Sequence, residues 1–329
     1  VAFGLGVLFV FVDGLGWGPA DPTTNPLAEP GPALSLLGPI LADPHGPPGP
    51  GEVRAVSFGG KTGFATAADA GLGVPGLPQS ATGQTTLLTG INAPAYMGRH
   101  VSAYPMGRLK ALLEENSLFT RGARAGRRVT FLNMFRPDGL ELLLRGERRA
   151  SATTAAALGA GLGLRTVEDL LRGEAVYHDV TCWTIAKHDY GVPLVTPREA
   201  ARRALGVAAR HDFCLFEYFL TDLGGHSRER DFCLEILGHL DAFLGAAVDG
   251  LDPENTLVLA SDHGNIEDLS RDTHTDSPVP VLAFGRDSRW AVSGVKGIDE
   301  LAGRLAALAG IPGVPGPAPN GGKDEPTSP

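Results

Sequence analysis

Only three cysteines occur in 329 residues, Cys182, Cys214 and Cys233. The number is odd and the spacing fits neither a zinc knuckle nor a disulfide framework. Cys214 lies inside an apolar run and reads as a buried core thiol, and Cys233 falls in a helix. A reducing, cytoplasmic setting is therefore the expectation. Positive charge is also in short supply: 28 Lys and Arg stand against 37 Asp and Glu, a formal net charge of -9. That balance excludes a binder of duplex nucleic acid, which needs a basic face. It leaves room for a phosphorylated substrate, because bound cations reverse the local field. No uninterrupted apolar run is long enough to span a bilayer. The apolar start, Val1 to Val12, is too short, has no basic leader and runs straight into Asp13, so it reads as a core strand and no membrane partner is expected. What remains, 43% hydrophobic and 20% charged residues, describes an ordinary globular chain, long enough for one sizeable domain and a smaller one.

Three apolar runs each stop at an acid. Val7 to Val12 ends in Asp13, Phe213 to Leu220 in Thr221-Asp222, and Thr256 to Ala260 in Ser261-Asp262-His263. Continuous β-branched and aromatic runs bounded by Gly and polar residues predict strands buried on both faces. Arg127 to Asn133 and Val281 to Phe284 read as further strands. Helices are expected over Ala33 to Leu41, from Gln84 to Leu88 onward, and over Leu109 to Ala125, Arg198 to Arg210 and Glu229 to Val248. This alternation predicts an α/β fold, a doubly wound, mostly parallel sheet sandwiched by helices. The core is expected in two pieces, 1–134 and 198–310. Residues 135–197, Ala/Gly/Leu/Arg-rich and then strand-like at Ala175 to Thr181, read as a small inserted lid. The Gly/Pro-rich tail, 311–329, lacks the residues to build a core and is expected to be disordered.

In open α/β sheets the working site lies beyond the carboxyl ends of the strands. Asp13, Asp222, His226, Asp262 and His263 all fall there, and His274 sits in a Pro-rigidified loop before Val281. Singly, an Asp at a strand end is usually a helix cap and a His an ordinary polar residue. Six oxygen and imidazole donors converging on strand ends instead suit two divalent ions of the zinc or manganese class, magnesium being the harder alternative. Pro78-Gln-Ser-Ala-Thr-Gly-Gln84 places hydroxyls just ahead of a helix, whose free N–H groups favour an anion. Ser80 or Thr82 in that place caps the helix, or Ser80 is a nucleophile activated by a metal.

Asp13-Gly, Ser80-Ala-Thr-Gly-Gln, Thr221-Asp-x-x-Gly-His226, Ser261-Asp-His-Gly264 and His274 with Pro278-Val-Pro280 follow one another in the order found in the alkaline phosphatase superfamily. The chain resembles most its metalloenzyme branch, which includes phosphopentomutase and cofactor-independent phosphoglycerate mutase. The resemblance implies that Asp222, His226 and His274 hold one ion, and that Asp13, Asp262, His263 and the Ser80 hydroxyl hold the other. It also implies that Ser80 is phosphorylated in passing, and that the substrate is a small phosphorylated metabolite. The product then forms by transfer to water, as in a phosphomonoesterase, or to a second hydroxyl, as in a phosphomutase. A phosphodiesterase or phosphonate hydrolase on the same scaffold is the rival expectation. Three departures matter. Residues 135–197 are fewer than the inserted domains of those mutases, which weakens the case for excluding water. Gln84 stands where phosphopentomutase has a His, and the sulfatase signature Cys-x-Pro-x-Arg is absent at Ser80.

Substrate contacts are sought at Asn133, at the end of a core strand, and at Thr82, Arg99 and His100. Arg108, Arg136, Lys187 and His188 are further cations within reach of an anion, although solvated surface charge is the ordinary role of each. Gly14-Leu-Gly-Trp-Gly18 mimics a dinucleotide fingerprint after a strand. It lacks the last Gly, carries a bulky Trp, and leads into Pro19-Ala-Asp-Pro22 rather than a helix.

Overall fold

The computed structural model describes residues 6–313. Seven strands form one sheet: β1 (Val7–Val12), β2 (Arg54–Phe58), β3 (Lys61–Ala68), β4 (Val129–Phe131), β5 (Phe213–Tyr218), β6 (Thr256–Ser261) and β7 (Val279–Gly285). Their spatial order is β2-β3-β7-β6-β1-β5-β4. The pairs β4–β5, β5–β1 and β1–β6 are parallel, whereas β6–β7, β7–β3 and β3–β2 are antiparallel. Only β2 and β7 run against the other five strands, so the expected doubly wound α/β sheet is present with a mixed half.

Alternation explains why the central strands read as continuous apolar runs. Leu8, Val10 and Val12 of β1, with Cys214, Phe216 and Tyr218 of β5, face the helices Pro197–Ala208 and Arg230–Gly250. Val7, Phe9 and Phe11, with Phe213 and Leu215, face Ser80–Thr89, Ala152–Gly159 and Leu301–Leu308. Each buried Leu or Phe contributes about 1.5–3 kcal/mol relative to exposure, so both faces must be covered.

Several expectations change in detail. Leu109 to Ala125 is two helices, Arg108–Asn116 and Leu118–Arg124, because the Ser117 side chain turns to accept the N–H of Thr120 and starts the second. Ala175 to Thr181 is not a strand: it forms one bridge, Val176 to Asn133, before the buried Asp179 draws in the N–H groups of Thr181, Cys182 and Thr184. That turn holds Val180 and Cys182 at positive φ. The segment expected as a lid divides. Ala155, Ala156 and Ala157 belong to the main core, while Leu170, Tyr177, Cys182 and Ile185 form a small cluster of their own. Ile311 packs into the main core; the tail beyond residue 313 and the first five residues lie outside the described residues. No described helix is long and apolar enough to cross a membrane.

Candidate metal centre

Strand register brings the acids together. Val12 pairs with both Tyr218 and Ser261, so Asp13 and Asp262 leave adjacent strands at one level, about 5 Å apart. Asp222 follows in the first turn of the helix Leu220–Ser227, which carries His226 one turn on. The loop after β6 supplies His263, and the approach to β7 supplies His274. Two groups of donors result, Asp13/Asp262/His263 and Asp222/His263/His274, with the ligand atoms of each within 4.8 Å of one another. His263 belongs to both. His226 stands further out, with Nε2 3.5 Å from Asp222 Oδ1, the same oxygen that lies 3.5 Å from Nε2 of His274.

Ser80 is the first residue of the helix Ser80–Thr89, so its N–H and that of Ala81 have no intrahelical acceptor. Its Oγ lies 3.0 Å from Nε2 of His263. The same nitrogen is 3.1 Å from Asp13 Oδ1 and 3.6 Å from Asp262 Oδ2. Neither carboxyl oxygen is aligned for a hydrogen bond, and both are buried without a partner. Such orphaned oxygens are costly unless a cation faces them. Gln84 Nε2 occupies the other oxygen of Asp13 at 3.0 Å. His274 Nδ1 lies 2.9 Å from the carbonyl oxygen of Pro78. A carbonyl only accepts, so that nitrogen holds the proton and Nε2 is left free to accept or to coordinate.

The electrostatics fit a site built around positive charge. Burial pushes Asp262 well above the usual carboxyl range, and the charge of Asp13 adds to it. Burial disfavours the charged form of His263, but Asp262 and Asp13 outweigh it and raise the imidazole to about 10. Burial likewise opposes ionisation of Asp222, yet His274, His263 and Asn265 bring it down to about 2. Borderline cations bound by mixed Asp and His donors suit this set.

Similar proteins are found both by sequence and by fold. A family model described as the Metalloenzyme superfamily matches residues 176–311. The 2,3-bisphosphoglycerate-independent phosphoglycerate mutase of Ruegeria sp. (strain TM1040) is 26% identical over 135 residues, which cover 39% of this chain and 26% of that protein. Phosphopentomutase of Symbiobacterium thermophilum is 34% identical over 92 residues, 27% of this chain and 23% of its own. The chain thus spans about a quarter of the length of these curated relatives. In fold it is similar to PH0037 from Pyrococcus horikoshii, with a TM-score of 0.54 and 14% identity over 96% of this chain and 100% of that one. It is equally similar to the alkaline phosphatase of the Antarctic bacterium TAB5, with a TM-score of 0.54 and 11% identity over 93% and 98% of the two chains. In sequence over residues 176–311, and in fold, the chain resembles the alkaline phosphatase superfamily.

Beside this centre lies a cavity of about 570 Å³, within the usual range for a small-molecule site. Asp13, Ser80, Gln84 and Asp222 form part of its wall, and Asn133, Glu217, Phe219 and Tyr177 extend it. Of the proposed substrate contacts Asn133 is on this wall and Thr82, Arg99 and His100 are not. The Thr82 hydroxyl donates to Gln79 O and accepts from Val101 N, and His100 bonds Val74 O. Residues not anticipated include Glu217, whose carboxyl accepts the Thr153 hydroxyl at 2.5 Å. Burial pushes it up to about 8, and the charge of Asp13 contributes. Its signal was an acid at the one core-facing polar position of β5. Arg148, Arg149, Ser151 and Thr154 also line the cavity from the segment expected as a lid.

Proposed function

We propose that this chain is a two-metal phosphoryl-transfer enzyme acting on a small phosphorylated metabolite, with Ser80 as nucleophile and water as the final acceptor. The observation that carries this reading is the Ser80 hydroxyl at a helix start, 3.0 Å from His263 Nε2 and beside two buried, unpartnered carboxyl oxygens. Asp222, His226 and His274 would hold one cation; Asp13, Asp262, His263 and the Ser80 oxygen would hold the other. Two bound cations of the zinc or manganese class supply Lewis acidity, which lowers the pKa of the serine hydroxyl and offsets charge on the phosphoryl oxygens. Ser80 Oγ then attacks phosphorus in line with the leaving oxygen, and the first-turn N–H groups of Ser80 and Ala81 offer donors to the anion. Gln84 holds Asp13 in orientation. Hydrolysis of the resulting phosphoserine returns the enzyme.

Water is favoured over an internal hydroxyl as acceptor because the cavity mouth is open. Tyr104 and Leu223 line it and stay 39% and 50% exposed, and the helix Pro137–Leu144 buries only Gly139. On the same rim Arg148 and Arg149 form no ion pair among the described residues, unlike Arg136, which bonds Asp138 and His188. This pair suits a second anionic group on the substrate. The test is a screen of zinc- or manganese-loaded protein against phosphomonoesters, phosphodiesters, ribose phosphates and phosphoglycerates, with Ser80→Ala in parallel. Metal-dependent phosphate release from monoesters, lost in Ser80→Ala, supports the reading. Isomer interconversion without release makes the chain a mutase, and turnover of diesters alone replaces the monoester assignment.

A further inference from the structure

Glu267 touches none of the reacting groups, yet it is fully buried within the metal-bearing loops. Its Oε2 accepts the N–H of Gly16 at 3.0 Å and that of Asn265 at 2.8 Å, and its Oε1 accepts the hydroxyl of Thr275. Gly16 lies three residues beyond Asp13, Asn265 two beyond His263, and Thr275 directly after His274. One carboxyl group is therefore bonded to the loop after β1 and to both ends of its own β6–β7 connection, beside three of the candidate ligands. Asn265 extends the set to the helix Leu220–Ser227, because its Nδ2 donates to Asp222 Oδ1 at 2.7 Å. No other acid in the molecule joins all of these segments among the described hydrogen bonds.

The packing around Glu267 is equally specific. A Cβ on Gly16 would collide with its carboxyl group, and a Cβ on Gly264 would collide with both Glu267 Oε1 and Thr275 Oγ1. One on Gly18 would come within 2.9 Å of Glu267 Cβ. Gly14, at φ +73°, lies against Asp222, whose Cα would be 2.9 Å from an added Cβ. The run Gly14-Leu-Gly-Trp-Gly18, so like a nucleotide turn in sequence, thus makes room for two acidic side chains of the protein itself.

We infer that Glu267 is the positioning residue of the metal centre, setting the positions of Asp13, His263 and His274 relative to one another, with the Gly14–Gly18 turn as its seat. The inference rests on the metal reading above. Groups that orient ligands without binding the ion are worth about 10- to 100-fold in metal affinity. Glu267→Gln places an amide donor against backbone donors, and Thr275→Val removes one bond with little change of shape. Both variants and the unaltered chain are titrated with Zn²⁺ against a chromophoric chelator, and the absorption spectrum of the Co²⁺ form reports ligand geometry. Circular dichroism and thermal unfolding in excess chelator report the fold separately.

The expected result is a fall of about 10- to 100-fold in affinity at one or both sites of Glu267→Gln. Thr275→Val should show a smaller fall, and the Co²⁺ spectrum should change in both. Unchanged affinity and spectrum in both variants, even with a lower unfolding temperature, would overturn the inference and leave Glu267 as a structural staple. If Glu267→Gln does not fold, Thr275→Val decides by the same criteria. Absence of Zn²⁺ binding in the unaltered chain is a different outcome, which would overturn the metal reading and this inference with it.

Discussion

His178 makes stability depend on pH in a way that can be worked out in advance. The ring lines the cavity and stacks on Phe219 at 4.4 Å between centroids, with Tyr177 at 4.1 Å. Burial holds its pKa down from 6.5 to about 4, Asp179 opposing and Arg136 adding to the effect. In the unfolded chain the imidazole takes up a proton as pH falls through about 6.5; in the folded chain it stays neutral until about 4. The unfolded state therefore binds more protons across that window, and folding stability must fall as pH drops through it. At about 1.4 kcal/mol per tenfold change in proton affinity, the ceiling is about 3 kcal/mol, reduced by the partial exposure of the ring. His178→Phe keeps the stack and removes the proton. Urea unfolding of both proteins from pH 7.5 to 4, in chelator, isolates the difference, since all other titrations are shared. The variant should gain on the native chain progressively below pH 6.5, by about 1–3 kcal/mol at pH 4. Parallel stability curves over the whole range would refute the reasoning.

Two further predictions follow from the site. Gly83→Ala would set a Cβ 2.8 Å from the carbonyl oxygen of Asp262, forcing the helix Ser80–Thr89 away from the end of β6. It should cost about 1–3 kcal/mol and alter the Co²⁺ spectrum, checked by unfolding and absorption; an unperturbed spectrum would contradict the close approach. Arg148→Ala with Arg149→Ala should raise KM for a substrate carrying a second anion by about tenfold or more, with kcat for a simple aryl phosphate unchanged. Equal effects on both substrates would remove the rim pair from recognition.

The acids at the strand ends were legible because Asp13 and Asp262 each follow a run that reads as a strand buried on both faces. Val7 to Val12 has to be a strand buried on both faces, so Asp13 has to lie at a strand end, and the same holds for Asp262 after β6. The four-residue spacing of Asp222 and His226 anticipated one helical face, which the helix Leu220–Ser227 provides. The β2–β3 hairpin was not legible. Lys61-Thr-Gly-Phe-Ala-Thr-Ala-Ala68 is rich in small residues and weak in periodicity, and it becomes a strand through pairing with β2 and β7. The break at Ser117 and the Asp179 turn also escaped, because each depends on one side chain accepting backbone N–H groups. Glu217 showed in the sequence only as an acid within an apolar strand, and the partners that give it and Glu267 a role are visible only in three dimensions. Their partners are Thr153, 64 residues away, and Gly16, 251 residues away.

The central claim is that Ser80 becomes phosphorylated at a metal-dependent site, and trapping that species tests it most directly. Zinc-loaded protein is mixed with a reactive phosphomonoester, quenched in acid within the first turnover, and digested for mass spectrometry. The account predicts one phosphoryl group on the peptide containing Ser80, absent in chelator and absent in Ser80→Ala. Metal-dependent turnover that persists in Ser80→Ala, with no modified peptide in either protein, would contradict it.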